Sequence, residues 1–265
     1  MRRPRFPMRS RPFPSRAGFA LLEVWVVLVV LAVLLSGLAL PLAAQVQMRR
    51  QEELRRQMEE ARDAVMGFAA TQGRLPCPAV EGSGGAESFA PGADASTGEC
   101  ADFYGGYLPA ASLGLTGVDG EGFARDPWGS PRNRLRYAVF GAATVNGTAN
   151  PLTRTDGMRM ATLAGLGAAS HFLFICASGA QATASGCGPA SRQLTRRAAF
   201  LILSLGPTAS AAPLPGGDEA RNLDADPVFV SRESSSVPGL EFDDVLLWVP
   251  IHLVTHRLIA AGRLP

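Results

Sequence analysis

The apolar positions of the chain form one long N-terminal segment and several shorter runs further on. Between Phe19 and Met48 there is no lysine or arginine, and Glu23 is the one acid. A helix of this length, rising about 1.5 Å per residue, exceeds the roughly 30 Å hydrocarbon core of a bilayer. The pattern therefore predicts a membrane-crossing helix over residues 19–48.

The helical pattern continues beyond this segment in amphipathic form. Apolar residues recur at steps of four and three between arginines and glutamates, which is typical of a helix with one buried face. They are Leu54, Met58, Ala61, Val65 and Phe68. Gly73 and Pro76 end the pattern. We expect an amphipathic half-helix over 49–73 that needs a folded domain to cover its stripe; a solvated coiled-coil stalk over 49–72 is the alternative.

Short runs rich in β-branched and aromatic residues follow and predict strands. They read LRYAVFGA, HFLFICAS, AAFLILSLG and PVFVSRES, at residues 135–142, 171–178, 198–206 and 227–234. The closing segment predicts a strand to Trp248 or Val249 and then a short helix. We therefore expect an α+β fold, in which a long N-terminal helix packs against an antiparallel sheet.

The charge of the chain is divided between two regions. Its formal value is +2, and all 25 basic residues are arginines. Six of them lie in residues 1–18, which hold no acid, so the remaining 19 arginines face 23 acids. A chain without this leader is mildly acidic, which argues against non-specific nucleic-acid binding as its main role.

The basic leader, the apolar segment and Glu23 must be explained together. An ordinary secretory signal, cleaved near residue 45, or a plain membrane anchor explains the first two. Neither explains a carboxylate near the start of an apolar segment, where charge is disfavoured.

The run SRAGFALLEVWVVLVVLAVL resembles the prepilin signal of type IV pilins and type II secretion pseudopilins. The resemblance implies that a prepilin peptidase cuts after Gly18 and methylates Phe19, which becomes the first residue. Glu23 then becomes the fifth residue, one helical turn from a new cationic amine. We expect Glu23 to pair with that amine, in the same or a neighbouring subunit, and to set the register of assembly.

The resemblance also implies a domain organisation and a location. Residues 1–18 are the cleaved leader, 19–48 the transmembrane and filament-core half of the helix, 49–73 its amphipathic half, and 74–265 a periplasmic pilin-like domain. The expected location is the inner membrane, single-pass, and then a periplasmic or surface filament. The expected partners are the prepilin peptidase, other pilin or pseudopilin subunits and the inner membrane.

A second resemblance lies in the run DPWG, Asp126 to Gly129, with Tyr137 further on. It is similar to the segment before the sheet in major pseudopilins. Pro127 and Gly129 favour a turn, and we expect Trp128 to anchor it in the core.

Four cysteines allow three pairings. With the periplasmic location that the resemblance implies, disulfides are expected. We favour Cys77–Cys100 and Cys176–Cys187, because both close Gly/Ser-rich loops. A four-cysteine zinc site is disfavoured, because structural zinc uses closely spaced pairs that the chain lacks.

Other candidate chemistry is sparse. His252 and His256 share a helical spacing, but Leu253 stands where a metalloprotease needs glutamate, and His171 ends a strand. Three acids near the end of the chain, Glu241, Asp243 and Asp244, are a candidate calcium site, as in some pseudopilins. No phosphate loop or nucleophile motif is present.

We therefore expect a structural filament subunit, a minor pilin or pseudopilin, and not an enzyme. The alternative is a ligand- or DNA-binding, adhesive minor pilin whose loops carry the function. Its candidate DNA contacts are Arg132, Arg134 and Arg136.

Overall fold

The computed structural model describes residues 21–129, 133–209 and 216–265, with the backbone alone at 34–44. The helices span Leu21–Gln72 (α1), Ala110–Leu113 (α2), Gly157–Ala161 (α3), Leu163–Ala168 (α4), Asp218–Arg221 (α5) and Ile251–Ala260 (α6). The strands span Arg136–Val139 (β1), Thr144–Val145 (β2), Thr148–Ala149 (β3), Leu173–Cys176 (β4), Gln193–Ser204 (β5), Val228–Val230 (β6) and Val245–Pro250 (β7).

The chain divides into two compact units, residues 1–49 and 50–265, and α1 contributes residues to both. In the second unit the predicted apolar stripe lies in the main core, where four of its members are 1% exposed or less. The last buried position is Ala69, whereas Phe68 is half-buried. The last step of the buried stripe, from Val65 to Ala69, is therefore four residues and not the predicted three.

Strand β5 is the centre of a five-stranded sheet. Its second half pairs with β1 on one edge and with β7 on the other, both antiparallel. Its first half pairs with β4, again antiparallel. Ala198 lies opposite both Leu173 and Pro250, so β4 and β7 are on different edges of β5.

The sheet is mixed, because β6 runs parallel to β4. The prediction of an antiparallel sheet is therefore wrong. A parallel neighbour needs a crossover of a dozen or more residues. The chain between β4 and β6 provides one, since it runs through β5 and α5. The apolar run at 227–234 correctly indicated a strand, but its composition does not show whether that strand runs parallel or antiparallel to its neighbour.

No helix in the described part of the chain is both long and apolar enough to cross a membrane. This finding overturns the predicted transmembrane helix in 19–48. It also overturns the predicted single-pass location in the inner membrane.

The C-terminal residues pack on the second unit. Helix α6 buries Ile251, Val254 and Leu258, and Leu264 after it is 7% exposed. The guanidinium of Arg263 donates hydrogen bonds to the carbonyls of Ala70 and Thr71. These carbonyls belong to the last turn of α1, where no intrahelical donor remains. The chain end therefore caps the helix that begins the domain.

Candidate functional site

The residues expected to mediate processing and assembly lie at the N-terminal end. Gly18 and Phe19 are outside the described residues. Glu23 is in the first turn of α1, where a carboxylate is favoured by the helix dipole, and its side chain is exposed.

The surface around Glu23 is apolar. Leu21, Leu22 and Trp25 are 91%, 74% and 67% exposed, and the described side chains continue this pattern to Val33. Large exposed apolar patches are unusual on proteins that function alone and mark binding surfaces. Among the described side chains from Leu21 to Val33, Glu23 is thus a single acid in an exposed apolar surface.

The two disulfides join Cys77 to Cys100 and Cys176 to Cys187, which is the pairing favoured from the sequence. All four cysteines are at most 5% exposed. The first bridge ties the segment after α1 to the end of the long loop, and the second closes the turn between β4 and β5. Disulfides persist in oxidising compartments, so they fit an extracellular or periplasmic protein.

Loss of either bridge is expected to lower the free energy of unfolding by about 3 kcal/mol. The paired substitutions are Cys77→Ser with Cys100→Ser, and Cys176→Ser with Cys187→Ser. The bridges close loops with sequence separations of 23 and 11 residues, so the first loss is expected to be slightly larger. Denaturant unfolding of each double variant measures the effect, and unchanged midpoints would contradict it.

A buried ion pair holds the long loop against the end of α1. Arg74 donates to both carboxylate oxygens of Glu87, at 2.7 and 2.8 Å, and the two side chains are 6% and 17% exposed. Glu87 also accepts a hydrogen bond from the backbone N–H of Cys77. The guanidinium lies over the rings of Phe68 and Phe89. The pair therefore connects the helix, the first disulfide and the loop.

The DPWG turn is anchored by its acid and not by its tryptophan. Asp126 is 4% exposed, whereas Trp128 is half-buried. One Asp126 oxygen accepts from the N–H of Trp128 at 3.0 Å, and the other accepts from the hydroxyl of Ser204 at 2.7 Å. Burial raises the pKa of the Asp126 carboxyl. The turn is thereby fixed to the end of β5, and the expectation for Trp128 is wrong.

The candidate calcium residues are only partly brought together. Glu219, Asp243 and Asp244 place one oxygen each within 4.8 Å of one another. Glu241 is not in this group and accepts a hydrogen bond from the N–H of Gly239. The sequence offered no signal for Glu219, which is far from the other two acids along the chain.

The acid cluster is poorly suited to calcium. Calcium takes six to eight oxygen ligands, and several oxygens here already accept hydrogen bonds. Both oxygens of Asp243 accept from Thr208, Glu219 accepts from the N–H of Asp243, and Asp244 accepts from Asn222. Burial raises the pKa of all three carboxyls, that of Asp244 to about 7. The cluster therefore favours protons and neutral donors.

Among the described residues, no histidine lies in a cluster of potential metal ligands. His252 and His256 are exposed on α6, and the ring of His171 stacks on Phe174 at 4.7 Å. Within the described ranges, the one group of three or more potential metal ligands is the acid cluster, which contains no histidine.

Two of the three candidate DNA-binding arginines are engaged within the chain. Arg134 donates to Asp119 at 2.7 Å and to Glu121 at 2.8 Å. Arg136 donates to the carbonyl of Gly105 at 2.8 Å. Arg132 lies outside the described residues. A phosphate group would have to compete with these contacts, so the geometry does not favour the DNA-binding alternative.

Comparisons of this chain with protein-family models, with curated proteins and with solved structures each gave no match.

Proposed function

We propose that this protein is a structural subunit, a minor pilin or pseudopilin, of a filament of the type IV pilus or type II secretion kind. A prepilin peptidase processes it at the Gly18–Phe19 bond, and it assembles through its N-terminal helix. The observation that supports this proposal is the exposed carboxylate of Glu23 in an exposed apolar helical surface.

Assembly through the N-terminal helix buries its exposed apolar surface. Packing the apolar side chains around Leu21 and Trp25 against other subunits removes them from water, at about 25 cal/mol per Å² of apolar area. The same packing buries the carboxylate of Glu23, which is costly unless a cation meets it. Cleavage before Phe19 supplies a cationic amine one helical turn away. Pairing with the amine of a neighbouring subunit then fixes the axial register of the filament.

The test is a filament incorporation assay with Glu23→Ala. We expect at least a tenfold loss of incorporation, because the unpaired amine must be buried, while cleavage of the leader continues. Glu52→Ala is the matched control, because Glu52 is an exposed acid on the same helix. Incorporation of Glu23→Ala at the level of the Glu52→Ala control would contradict the proposed role.

A further inference from the structure

Three strands of the main sheet pair with one neighbour each: β1, β6 and β7. An edge strand offers unpaired N–H and C=O groups to any other strand, and natural proteins normally block such edges. The three edges of this sheet differ in whether they are blocked.

The outer edge of β1 is closed by a loop. Val139 donates its N–H to the carbonyl of Phe103 at 2.9 Å, and Tyr137 donates to the carbonyl of Gly106 at 3.1 Å. The side chain of Arg136 adds a hydrogen bond to this loop. No further strand can pair with β1 without displacing these contacts.

The outer edge of β6 is closed by side chains. The Asn222 amide accepts from the N–H of Val230 at 2.7 Å and donates to its carbonyl at 3.1 Å. The carboxylate of Asp226 accepts from the N–H of Val228 at 2.9 Å. Asn222 is 3% exposed, so this block is built into the fold.

Among residues 21–129, 133–209 and 216–265, no backbone group pairs with the outer edge of β7. The backbone N–H groups of Tyr137 and Val139 on β1 point to the loop, so the backbone groups of the alternate residues point to β5. These alternate residues lie opposite Leu201 and Leu203, whose backbone groups therefore point to β1. Successive residues of a strand turn their backbone groups to opposite edges. Ile202 lies between Leu201 and Leu203, so its backbone N–H and C=O groups point to β7.

Ile202 lies opposite Leu247, so Leu246 and Trp248 on either side of it direct their N–H and C=O groups away from β5. In the described portions of the chain, these outward groups have no hydrogen-bond partner. The strand reads VLLWVP, carries no charge, and is partly exposed along most of its length.

The two ends of β7 carry opposite charge. Exposed Glu241 comes before the strand, and exposed Arg257 follows it on α6. Two copies paired antiparallel place the acidic end of each beside the basic end of the other. Parallel pairing brings like charges together, which is unfavourable.

We propose that β7 pairs antiparallel with β7 of a second copy of this chain, forming a continuous sheet across the two copies. Leu246 of one copy exchanges both backbone hydrogen bonds with Trp248 of the other, and the two-fold axis passes between the two Leu247 residues. The interface is independent of Glu23 and goes beyond the helix-mediated assembly proposed above.

Cysteine cross-linking of the full chain in detergent solution tests the proposal. Leu247→Cys places two thiols at a non-hydrogen-bonded pair with Cα atoms about 4.5 Å apart, a spacing that permits a disulfide. All four native cysteines are already paired, so the new thiol is free. Leu194→Cys is the control, because Leu194 is in the same sheet and 51% exposed. We expect Leu247→Cys to cross-link at least tenfold faster than the control.

Two further variants in the Leu247→Cys background establish that edge pairing is responsible. Leu246→Pro removes an N–H that points away from β5, a position where an edge strand tolerates proline. Val245→Lys adds a charge that opposes edge pairing and leaves the backbone unchanged. We expect both to abolish the cross-link, and Val245→Lys to keep the melting temperature of the parent. Equal rates for Leu247→Cys and Leu194→Cys, or an undiminished cross-link in Val245→Lys, would overturn the proposal.

Discussion

Replacement of Glu87 by alanine is expected to lower the free energy of unfolding by about 3–5 kcal/mol. The substitution leaves the Arg74 guanidinium buried at 6% exposure without its bidentate carboxylate. It also removes the acceptor of the Cys77 N–H. Equilibrium denaturation of the purified chain measures the change.

The control for this prediction is Glu60→Ala. Glu60 also faces an arginine, Arg56, but at 3.9 Å and with both side chains more than half exposed. Such a surface pair contributes at most about 1 kcal/mol. The double variant Arg74→Met, Glu87→Leu is expected to lose less than Glu87→Ala, because no charge remains buried. If Glu87→Ala costs no more than Glu60→Ala, the ion pair does not hold the loop in place.

The second large effect is expected in the pH dependence of stability. Burial raises the pKa of Asp244 to about 7 in the folded chain, although the hydrogen bond from Asn222 opposes this shift. The nearby carboxylates of Glu219 and Asp243 raise the pKa further, and the charge of Arg136 lowers it. The folded state therefore retains a proton that the unfolded state releases near pH 4. Stability is expected to fall as the pH rises from about 4 to about 7 and to level off above that. Over this pH range, the deprotonation of Asp244 is expected to lower the free energy of unfolding by on the order of 4 kcal/mol.

Asp244→Asn tests this assignment directly. Asparagine carries no titrating proton and can still accept the hydrogen bond from Asn222. We expect the fall in unfolding free energy between pH 5 and pH 8 to shrink in this variant, whereas Asp63→Asn, at a side chain 70% exposed, leaves it unchanged. A wild-type chain equally stable at both pH values would contradict the prediction, as would an Asp244→Asn variant with the full wild-type decrease.

Local pattern was sufficient to locate most of the main sheet. The runs around Tyr137, Phe200 and Trp248 are long apolar segments flanked by turn residues, and each forms a strand. The stripe from Leu54 to Val65 is buried for the same reason, because helical periodicity fixes which side chains share a face. Strand β5 begins earlier than expected, since Gln193–Arg197 alternates in exposure and contains few apolar residues.

Contacts between residues distant in sequence were not predictable in this way. Three such contacts depend on the tertiary arrangement: the parallel pairing of β6 with β4, the hydrogen bond from Ser204 to Asp126, and the proximity of Glu219 to Asp244. No periodicity or spacing records them. The disulfides were the exception, because loop composition favoured the pairing that the structure contains.

Which edges of the sheet are blocked and which are open could not be predicted from the sequence either. Asn222 lies in a turn-rich segment and is unremarkable there, yet its amide closes both backbone groups of Val230. The sequence predicted the apolar strand β7. That its outer edge is unpaired, while the edges of β1 and β6 are blocked, is evident only from the structure of the sheet. Each edge is therefore a property of the assembled sheet.

The most direct test of the filament-subunit proposal is the intact mass and N-terminal sequence of the chain after co-expression with an active prepilin peptidase. Co-expression with a catalytically inactive peptidase provides the control. The proposal predicts a mature chain of residues 19–265 with one added methyl group on the amine of Phe19, and an uncleaved chain in the control. A chain that retains residues 1–18 beside the active peptidase, or one that begins near residue 45, would contradict it.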